Sequence, residues 1–386
     1  MIPAVGGTVR RWSLFCRVVD NFGDIGVCWR LARTLAAHHR QVVTLWVDDL
    51  GTMRRLCPSL LPDLDAQQLD GVLVRRWKPP FGDVVLDDVV IEAFACELPD
   101  EILTTMAGRR PAPVWINLEY LSAEDWIESC HRLSSPHPVL PLTRYFFFPG
   151  FSAASGGLLC EPGLFARRDA FQADVAVRRR WFAERLGRAP VADARVISLF
   201  AYEQPGLGAL LERWAAGGRA VELLVPEGRV VADVARHFGR VALAAGDALR
   251  DRALHVSVLP FSTQDEYDRL LWACDLNFVR GEDSFVRAQW AARPLVWHIY
   301  RQDDDAHRVK LEAFLARFLR DADPAVAGAT AAFWRAWNGF GDVATAWPDF
   351  EATLPALHAH CVAWCGALAA HQDLASSLLN FSETSV

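Results

Sequence analysis

The sequence predicts an α/β protein built from two doubly wound parallel sheets. Short apolar runs of strand length alternate with helical patterns of about 10–15 residues along most of the chain. Alternation of this kind gives parallel sheets with right-handed crossovers, that is, Rossmann-like domains. A length of 386 residues leaves room for two of them. We place the first at residues 1–185, joined by helices at about residues 355–386, and the second at residues 186–354.

The first half begins with a βαβ unit. A strand is predicted at residues 12–18, then a helix at 25–38 whose apolar positions share one face, then a strand at 42–47. Further strands are predicted at residues 72–77, 89–94, 114–118 and 145–148. The segment 121–141 is rich in Ser, Pro and His, so we expect it to be irregular.

The second half shows the clearest alternation. An Arg-rich helix at residues 167–188, which ends before Pro190, leads into it. Its strands are predicted at residues 196–201, 220–225, 255–259, 276–279 and 295–299. Helices are predicted between and after them, at residues 207–216, 230–238, 264–273, 285–292 and 306–319.

Composition and charge narrow the functional class. A formal net charge of -7 and a pI of about 5.9 disfavour a binder of nucleic acid or anionic membranes. No apolar run reaches the roughly 18 residues of a transmembrane helix. The nine cysteines include no CxxC pair and the eleven histidines form no metal-binding array. We therefore expect reduced thiols, a cytoplasmic location and no metal.

Ligands in such folds bind just beyond the carboxyl ends of strands, and three predicted strand ends carry suitable residues. After the first strand, residues 20–26 read DNFGDIG. Asp24 is placed to cap the following helix, and Gly23 allows close approach of the backbone to a ligand. Asp20 is then left as a candidate general base, although a plain turn explains the same residues.

A second strand end, residues 279–285, reads VRGEDSF and precedes a helix. The N–H groups of a helix N-terminus bind phosphate, and Asp283 or Ser284 fits the N-cap position. Arg280 and Arg287 are candidate partners for the same phosphate. The alternative is a well-capped helix on the surface.

The third strand end, residues 200–208, reads FAYEQPGLG. It contains GxG, but Leu211 stands where a dinucleotide fingerprint needs a third glycine. Phe200, Tyr202 and Phe261 end neighbouring strands and can stack on a planar base. They fit the apolar core equally well.

Four long segments between residues 15 and 290 carry a family resemblance. They are residues 15–33 (FCRVVDNFGDIGVCWRLAR), 117–124 (NLEYLSAE), 145–151 (YFFFPGF) and 275–290 (DLNFVRGEDSFVRAQW). Their sequences, and the order in which they occur along the chain, closely resemble the signatures of the elongation factor P arginine rhamnosyltransferases. One departure is Arg301 in HIYRQ, where that family often has proline.

The resemblance implies an inverting glycosyltransferase of the GT-B fold, with a cleft between its two domains. The implied donor is dTDP-β-L-rhamnose, and the implied acceptor is an arginine in the N-terminal domain of elongation factor P. The implied role of that modification is to help ribosomes translate polyproline stretches. The first domain is expected to bind the acceptor and the second the nucleotide sugar, with no metal or other cofactor.

The resemblance also assigns roles to individual residues. Asp20 matches the catalytic aspartate, and Asp24 and Glu282 are expected to assist it. Asp283 and Ser284 are expected at the diphosphate. The whole set predicted to bind the donor is Asn21, Phe22, Gly23, Phe200, Tyr202, Phe261, Gln264, Arg280, Asp283, Ser284 and Tyr300.

Three other functions stay open at this stage. A GT-B transferase with a lipid or polysaccharide acceptor has the same fold. A nicotinamide-dependent oxidoreductase is suggested by the incomplete GxG of residues 206–208. A non-catalytic binder of elongation factor P is a third, although it would not need the carboxylates at residues 20, 24 and 282.

Overall fold

The structure, a computed structural model, describes residues 8–19, 22–81, 87–302 and 305–384. The strands are β1 (Arg11–Cys16), β2 (Val42–Val47), β3 (Ala66–Leu69), β4 (Val72–Arg76), β5 (Val89–Ala93), β6 (Val114–Leu118), β7 (Ser134–Pro136), β8 (Thr143–Phe147), β9 (Arg195–Leu199), β10 (Val221–Pro226), β11 (Ala248–Asp251), β12 (Leu254–Leu259), β13 (Leu276–Arg280) and β14 (Leu295–His298). The helices are α1 (Gly23–His39), α2 (Leu50–Leu56), α3 (Asp100–Gly108), α4 (Trp126–Cys130), α5 (Leu164–Ala173), α6 (Val175–Leu186), α7 (Leu207–Ala216), α8 (Val231–His237), α9 (Gln264–Ala273), α10 (Asp283–Ala291), α11 (Ala306–Phe318), α12 (Pro324–Trp337), α13 (Val343–Ala369) and α14 (Leu374–Thr384).

The described chain divides into two compact units. Unit 1 extends to Pro162 and resumes at His371, whereas unit 2 spans Gly163–Ala370. The boundary predicted at 185/186 therefore lies inside unit 2. The reason is that α5 and α6 pack on unit 2: the Gln172 amide donates to the carbonyl of Ala291 at 3.0 Å, and the Arg178 guanidinium donates to that of Ala273 at 3.1 Å. Of the helices predicted to return to the first domain, α14 does so, while α13 belongs to unit 2.

Unit 1 contains an eight-stranded sheet in the order β3-β4-β2-β1-β5-β6-β8-β7. Its strands are parallel except for β3 and β7, which pair antiparallel at the two edges. All residues of β5 and β6 are buried, as expected for strands covered on both faces. On one face, Phe15 stacks on Trp46 with ring centroids 5.5 Å apart, at the centre of an aromatic core.

Unit 2 contains a six-stranded sheet in the order β11-β12-β10-β9-β13-β14. Only β11 pairs antiparallel among its described strands, again at an edge. β9, β10 and β13 are buried at every residue, so their sequences are mostly apolar and show no alternation between exposed and buried positions. Helices α12 and α13 bring further aromatic rings to this core, and Phe278 packs 4.5 Å from Trp337.

The predicted fold class is confirmed, because two mostly parallel α/β sheets are the architecture that two Rossmann-like GT-B domains require. The predicted parallel strands and the helices between them are present. The segment 121–141 is not wholly irregular, since it contains α4 and β7. The single helix predicted at 167–188 is two helices, because Asp174 interrupts it and caps α6 by accepting from Ala176 N at 2.8 Å.

Candidate active site

The strand order fixes where a ligand can bind in each unit. In unit 1 the order reverses between β1 and β5, and in unit 2 between β9 and β13. Loops that leave the carboxyl ends of such strands diverge in opposite directions and open a crevice. Most of the residues predicted to form the site follow β1, β9 or β13 directly. The topology therefore places them at these two crevices, one in each unit.

In unit 1 the loop after β1 leads into α1 through Phe22 and Gly23. Asp20 and Asn21 lie outside the described residues. Asp24 is 3% exposed, and its Oδ2 accepts a hydrogen bond from Val19 N at 3.0 Å. It stands within the first turn of α1, whose N-cap position is Phe22. The prediction that Asp24 is the N-cap is therefore wrong: Asp24 lies two residues after the N-cap, and its carboxylate binds the preceding loop through Val19 N instead.

In unit 2 the loop after β13 contains Gly281, whose φ of +61° suits glycine. Helix α10 begins at Asp283, with Glu282 as N-cap and no side-chain cap among the described residues. Neither Asp283 nor Ser284 is the cap, contrary to the prediction. The Ser284 hydroxyl instead accepts from Arg280 N at 3.2 Å and donates to the carbonyl of Arg280. The start of this helix is thereby held against the end of β13.

Arg280 supplies a buried cation at the same place. It is 7% exposed, and its guanidinium carbon lies 4.6 Å from the ring centroid of Phe200 and 4.7 Å from that of Tyr202. Its Nη1 has no hydrogen-bond partner among the described residues. A buried guanidinium N–H without a partner is costly unless an acceptor completes it. The predicted phosphate contact of Arg280 would supply one.

Arg287, the other predicted phosphate partner, is already paired. It is 2% exposed and donates to both carboxylate oxygens of Asp268 on α9, at 2.8 and 2.6 Å. This buried bidentate ion pair links the middle of α10 to α9. The predicted role of Arg287 is therefore corrected to a structural one. Gln264 Nε2 also links the two helices at their starts, 3.4 Å from Asp283 Oδ2.

Phe200 and Phe261 both adjoin the turn that follows β10. Phe261 N donates to the Glu227 carboxylate at 3.2 Å. A Cβ built on Gly228 would lie 3.3 Å from the Phe200 ring. The absence of a side chain at Gly228 therefore leaves room for that ring. The Phe200 ring also packs edge to face against Tyr267, with ring centroids 5.7 Å apart. The structure thus brings two of the predicted aromatic residues to one turn.

Tyr202 and Tyr300 form a second aromatic group, with ring centroids 5.6 Å apart. His298 packs edge-on against Tyr202 at 5.3 Å. Burial, with Arg280 and Arg301 nearby, lowers the pKa of His298 to about 3, so its imidazole is neutral at neutral pH. Tyr300 remains 49% exposed.

These aromatic residues line one side of an open pocket of about 640 Å³. Its other walls come from Gln204, Arg301 and the turn between α12 and α13. Gln204 lies within the predicted GxG segment, yet its side chain joins that segment to α12 by donating to the carbonyl of Trp337. Asn338 also lines the pocket, and nothing in its local sequence marks it.

One group of side chains in the described part of the chain has the spacing of metal ligands: Glu212, His237 and Asp251. The Arg252 guanidinium donates to Glu212 at 2.6 Å and to Asp251 at 3.1 Å, so both carboxylates already pair with a cation. None of the predicted site residues belongs to this group. Among the described helices, none combines the length and apolarity that crossing a membrane requires.

Comparison with known families identifies the chain. The family model for the elongation factor P (EF-P) rhamnosyltransferase EarP matches residues 12–383. The chain belongs to the EarP family. The resemblance of the four sequence segments is thereby confirmed, and so is the prediction of a glycosyltransferase. An oxidoreductase and a non-catalytic binding protein are excluded.

Relatives within the EarP family match over nearly their full lengths. A protein-arginine rhamnosyltransferase of Pseudomonas aeruginosa is 52% identical over 370 residues, which are 96% of this chain and 98% of the relative. One from Shewanella oneidensis is 42% identical, covering 97% and 98%. A solved structure concerned with EarP-mediated arginine glycosylation of translation elongation factor EF-P has a TM-score of 0.71 and 38% identity, covering 98% of this chain and all of that one.

Proposed function

We propose that this protein transfers L-rhamnose from dTDP-β-L-rhamnose, with inversion, to an arginine side chain in the N-terminal domain of EF-P. The modified factor would support translation of polyproline stretches. Membership of the EarP family supports an arginine acceptor. The observation that supports the donor best is Arg280, whose buried guanidinium keeps one nitrogen without a partner beside the start of α10.

The donor half of the proposal rests on unit 2. The N–H groups of the first turn of α10 and the Arg280 guanidinium suit a diphosphate, which needs several donors and positive charge. Phe200 and Phe261, beside the turn after β10, suit a thymine ring. Charge that develops on the leaving diphosphate can be stabilised by these groups alone, so the proposal needs no metal and no other cofactor.

The acceptor half rests on unit 1 and its loop after β1. A guanidinium is a weak nucleophile because it stays protonated and its lone pairs are delocalised. Carboxylates orient it by accepting its N–H groups, and in a partly dry site such charge-assisted bonds strengthen. We assign this role to Asp24, which is buried there, and to Glu282 of unit 2. Asp20 is assigned as the general base.

The proposed reaction is a single displacement at C1 of rhamnose. A guanidinium nitrogen attacks from the face opposite the diphosphate, and the new C–N bond forms as the bond between C1 and the diphosphate oxygen breaks. One guanidinium proton passes to the Asp20 carboxylate, and dTDP leaves. A positioned general base contributes roughly 10²–10⁴-fold to such a step, and the remaining acceleration is assigned to orientation and electrostatics.

The proposed cellular setting is the cytoplasm, where EF-P meets the ribosome. It is supported by the nine cysteines, which are all free thiols and include no disulfide.

Mass spectrometry of EF-P tests the proposal. We expect incubation with the protein and dTDP-L-rhamnose to add one deoxyhexose to one arginine of the factor. Asp20→Asn is the matched control, since it removes the proposed base with almost no change in size and should give no product while still binding dTDP. Unmodified EF-P, or sugar transferred to a lipid or polysaccharide instead, would contradict the proposal. Full activity of Asp20→Asn would contradict the assignment of the base.

A further inference from the structure

We propose that Asn338 is a positioning residue for the donor site, which holds the end of β14 so that Tyr300 stands beside Tyr202. This inference rests on the proposed function, in which Tyr300 lines the donor site. It concerns a residue at the end of α12 that no sequence motif indicates.

Both amide hydrogens of the Asn338 side chain donate hydrogen bonds to backbone carbonyls. Its Nδ2 donates to the carbonyls of Trp297 and Trp334, each at 2.8 Å. Its Oδ1 accepts from Ile299 N at 3.0 Å. The residue is 8% exposed, so water cannot easily replace these bonds. One amide therefore ties the last turn of α12 to the backbone on both sides of His298.

The backbone N–H that Asn338 binds lies just beyond the last paired residue of β14. β14 is an edge strand, and its pairing with β13 ends at His298. The next two residues, Ile299 and Tyr300, follow without a strand partner in the described sheet. The bond from Ile299 N to Asn338 takes the place of a ladder bond there. It fixes the backbone one residue before Tyr300.

Tyr300 needs such support because it is half exposed, at 49%. Its ring meets Tyr202 edge to face at 5.6 Å, and both rings line the pocket of about 640 Å³ together with Asn338. Packing of its own side chain is therefore limited, and the direction of the ring follows from the backbone. If the backbone before Tyr300 were less well fixed, the pocket would remain, but the Tyr300 ring that forms one of its walls would be displaced.

The test compares donor binding in two asparagine variants. Asn338→Ala removes the three bonds, and we expect the KM for dTDP-rhamnose and the Kd for dTDP to rise about tenfold, with kcat changed less than twofold. Asn277→Ala is the matched control. Asn277 is also a buried asparagine with hydrogen-bonded side-chain atoms, accepting from Ser198 Oγ at 2.6 Å and donating to the Leu271 carbonyl at 3.0 Å, but it lies within β13. It should lower the melting temperature and leave donor KM unchanged.

Asn338→Asp provides a second variant if the alanine variant does not fold. It keeps the acceptor for Ile299 N but replaces the donating nitrogen by an oxygen that faces two carbonyls. We expect the same rise in donor KM and Kd, again with little change in kcat.

A double variant shows whether Asn338 acts through Tyr300. In the Tyr300→Ala background, Asn338→Ala should add less than a twofold further loss of dTDP binding. The inference is overturned if Asn338→Ala binds dTDP as the wild type does, if the two losses multiply, or if Tyr300→Ala alone has no effect. Failure of the proposed function would look different, because the wild-type protein itself would not bind dTDP, and that result would overturn both.

Discussion

At the scale of the residue, recognition of a nucleotide diphosphate depends on a cation that is buried and not already neutralised. Arg280 meets this condition: two aromatic rings hold its guanidinium, and no carboxylate among the described residues forms a salt bridge with it. Arg287 lies seven residues later, within α10. It does not meet this condition, because Asp268 pairs with it in a bidentate geometry. Sequence position alone does not distinguish the two arginines.

We predict that Arg280→Ala weakens dTDP binding by about 10–100-fold, since a hydrogen bond to a charged group contributes about 1.5–3 kcal/mol. Arg280→Lys should recover only part of the loss, because an ammonium cannot stack between rings as a guanidinium does. Isothermal titration calorimetry measures both. Arg219→Ala, an exposed arginine before β10 at the other end of the sheet, is the control. Equal affinities for the two alanine variants would contradict the role of Arg280.

Protonation of His298 makes the stability of the folded protein depend on pH, in a direction that follows from its pKa. Burial, followed by the nearby charges of Arg280 and Arg301, lowers its pKa from 6.5 to about 3. The unfolded chain therefore binds the proton more readily, and the stability from neutral His298 is complete above pH 6.5 and is lost as the pH falls toward 3. His131 in unit 1, with a pKa lowered to about 4 mainly by burial, acts in the same direction.

We predict that the free energy of unfolding, measured by urea denaturation, decreases between pH 7 and pH 5. In His298→Gln this decrease should be smaller, because the variant lacks one imidazole whose pKa burial strongly lowers. His131→Gln is the matched variant and should reduce the decrease as well. A decrease of the same size in all three proteins would show that neither histidine carries the effect.

The position of several candidate site residues directly after strands could be predicted from the sequence, because local hydrophobic patterns reveal those strands. Asn338 could not, since its role depends on Ile299, 39 residues earlier in the chain. The predicted caps failed for a related reason. The start of a helix is defined by backbone angles, and these make Phe22 and Glu282 the caps of α1 and α10 rather than the acidic residues that follow them.

At the scale of the element, α9 and α10 act as a pair. Both begin beside the carboxyl end of the unit 2 sheet, where Gln264 and Asp283 connect them. The buried ion pair of Asp268 and Arg287 connects them again within the helices. The position of the α10 N-terminus, and with it the proposed phosphate site, therefore depends on α9.

We predict that Arg287→Met destabilises the protein by about 3–5 kcal/mol, because the buried Asp268 carboxylate loses its partner. The double variant Asp268→Leu/Arg287→Met should recover most of that loss, since no unpaired charge remains. Chemical denaturation gives both values. A loss below about 1 kcal/mol in the single variant would mean that this ion pair does not hold the two helices together.

Two glycine variants test the proposed nucleotide site at its loops. Gly228→Ala places a methyl group 3.3 Å from the Phe200 ring, so we expect a several-fold weaker affinity for dTDP and little change in melting temperature. Gly208→Ala is the control, because its Cβ would meet nothing within 4 Å, and it lies in α7, where alanine is favoured. If Gly208→Ala weakened binding more, the GxG segment rather than Phe200 would be the contact.

The parallel strands could be predicted because burial on both faces gives short, mostly apolar segments without regular alternation of polar and apolar residues. The antiparallel edge strands could not. β3 and β11 have alternating exposed and half-buried residues, and β7 has three residues, so none carries a hydrophobic pattern that separates it from a loop. Their pairing depends on a neighbouring strand, which only the fold supplies.

At the scale of the whole molecule, the chain uses two α/β units that each have their own sheet and core. In the proposed function, unit 2 binds the donor and unit 1 binds the acceptor. The family and its fold could be predicted from the sequence, since the matching segments are long and in order. The limits of the units could not be predicted, because the Arg-rich helical segment of α5 and α6 lies between the two sheets in the sequence. Only its contacts to α9 and α10 show that it belongs to unit 2.

The most direct test of a donor site on unit 2 is a crystal structure of the protein with dTDP. We predict that the thymine contacts Phe200 and Phe261, and that the diphosphate accepts hydrogen bonds from Arg280 and from the first turn of α10. A nucleotide bound instead to the loop after β1, or away from Arg280 altogether, would contradict the proposed donor site.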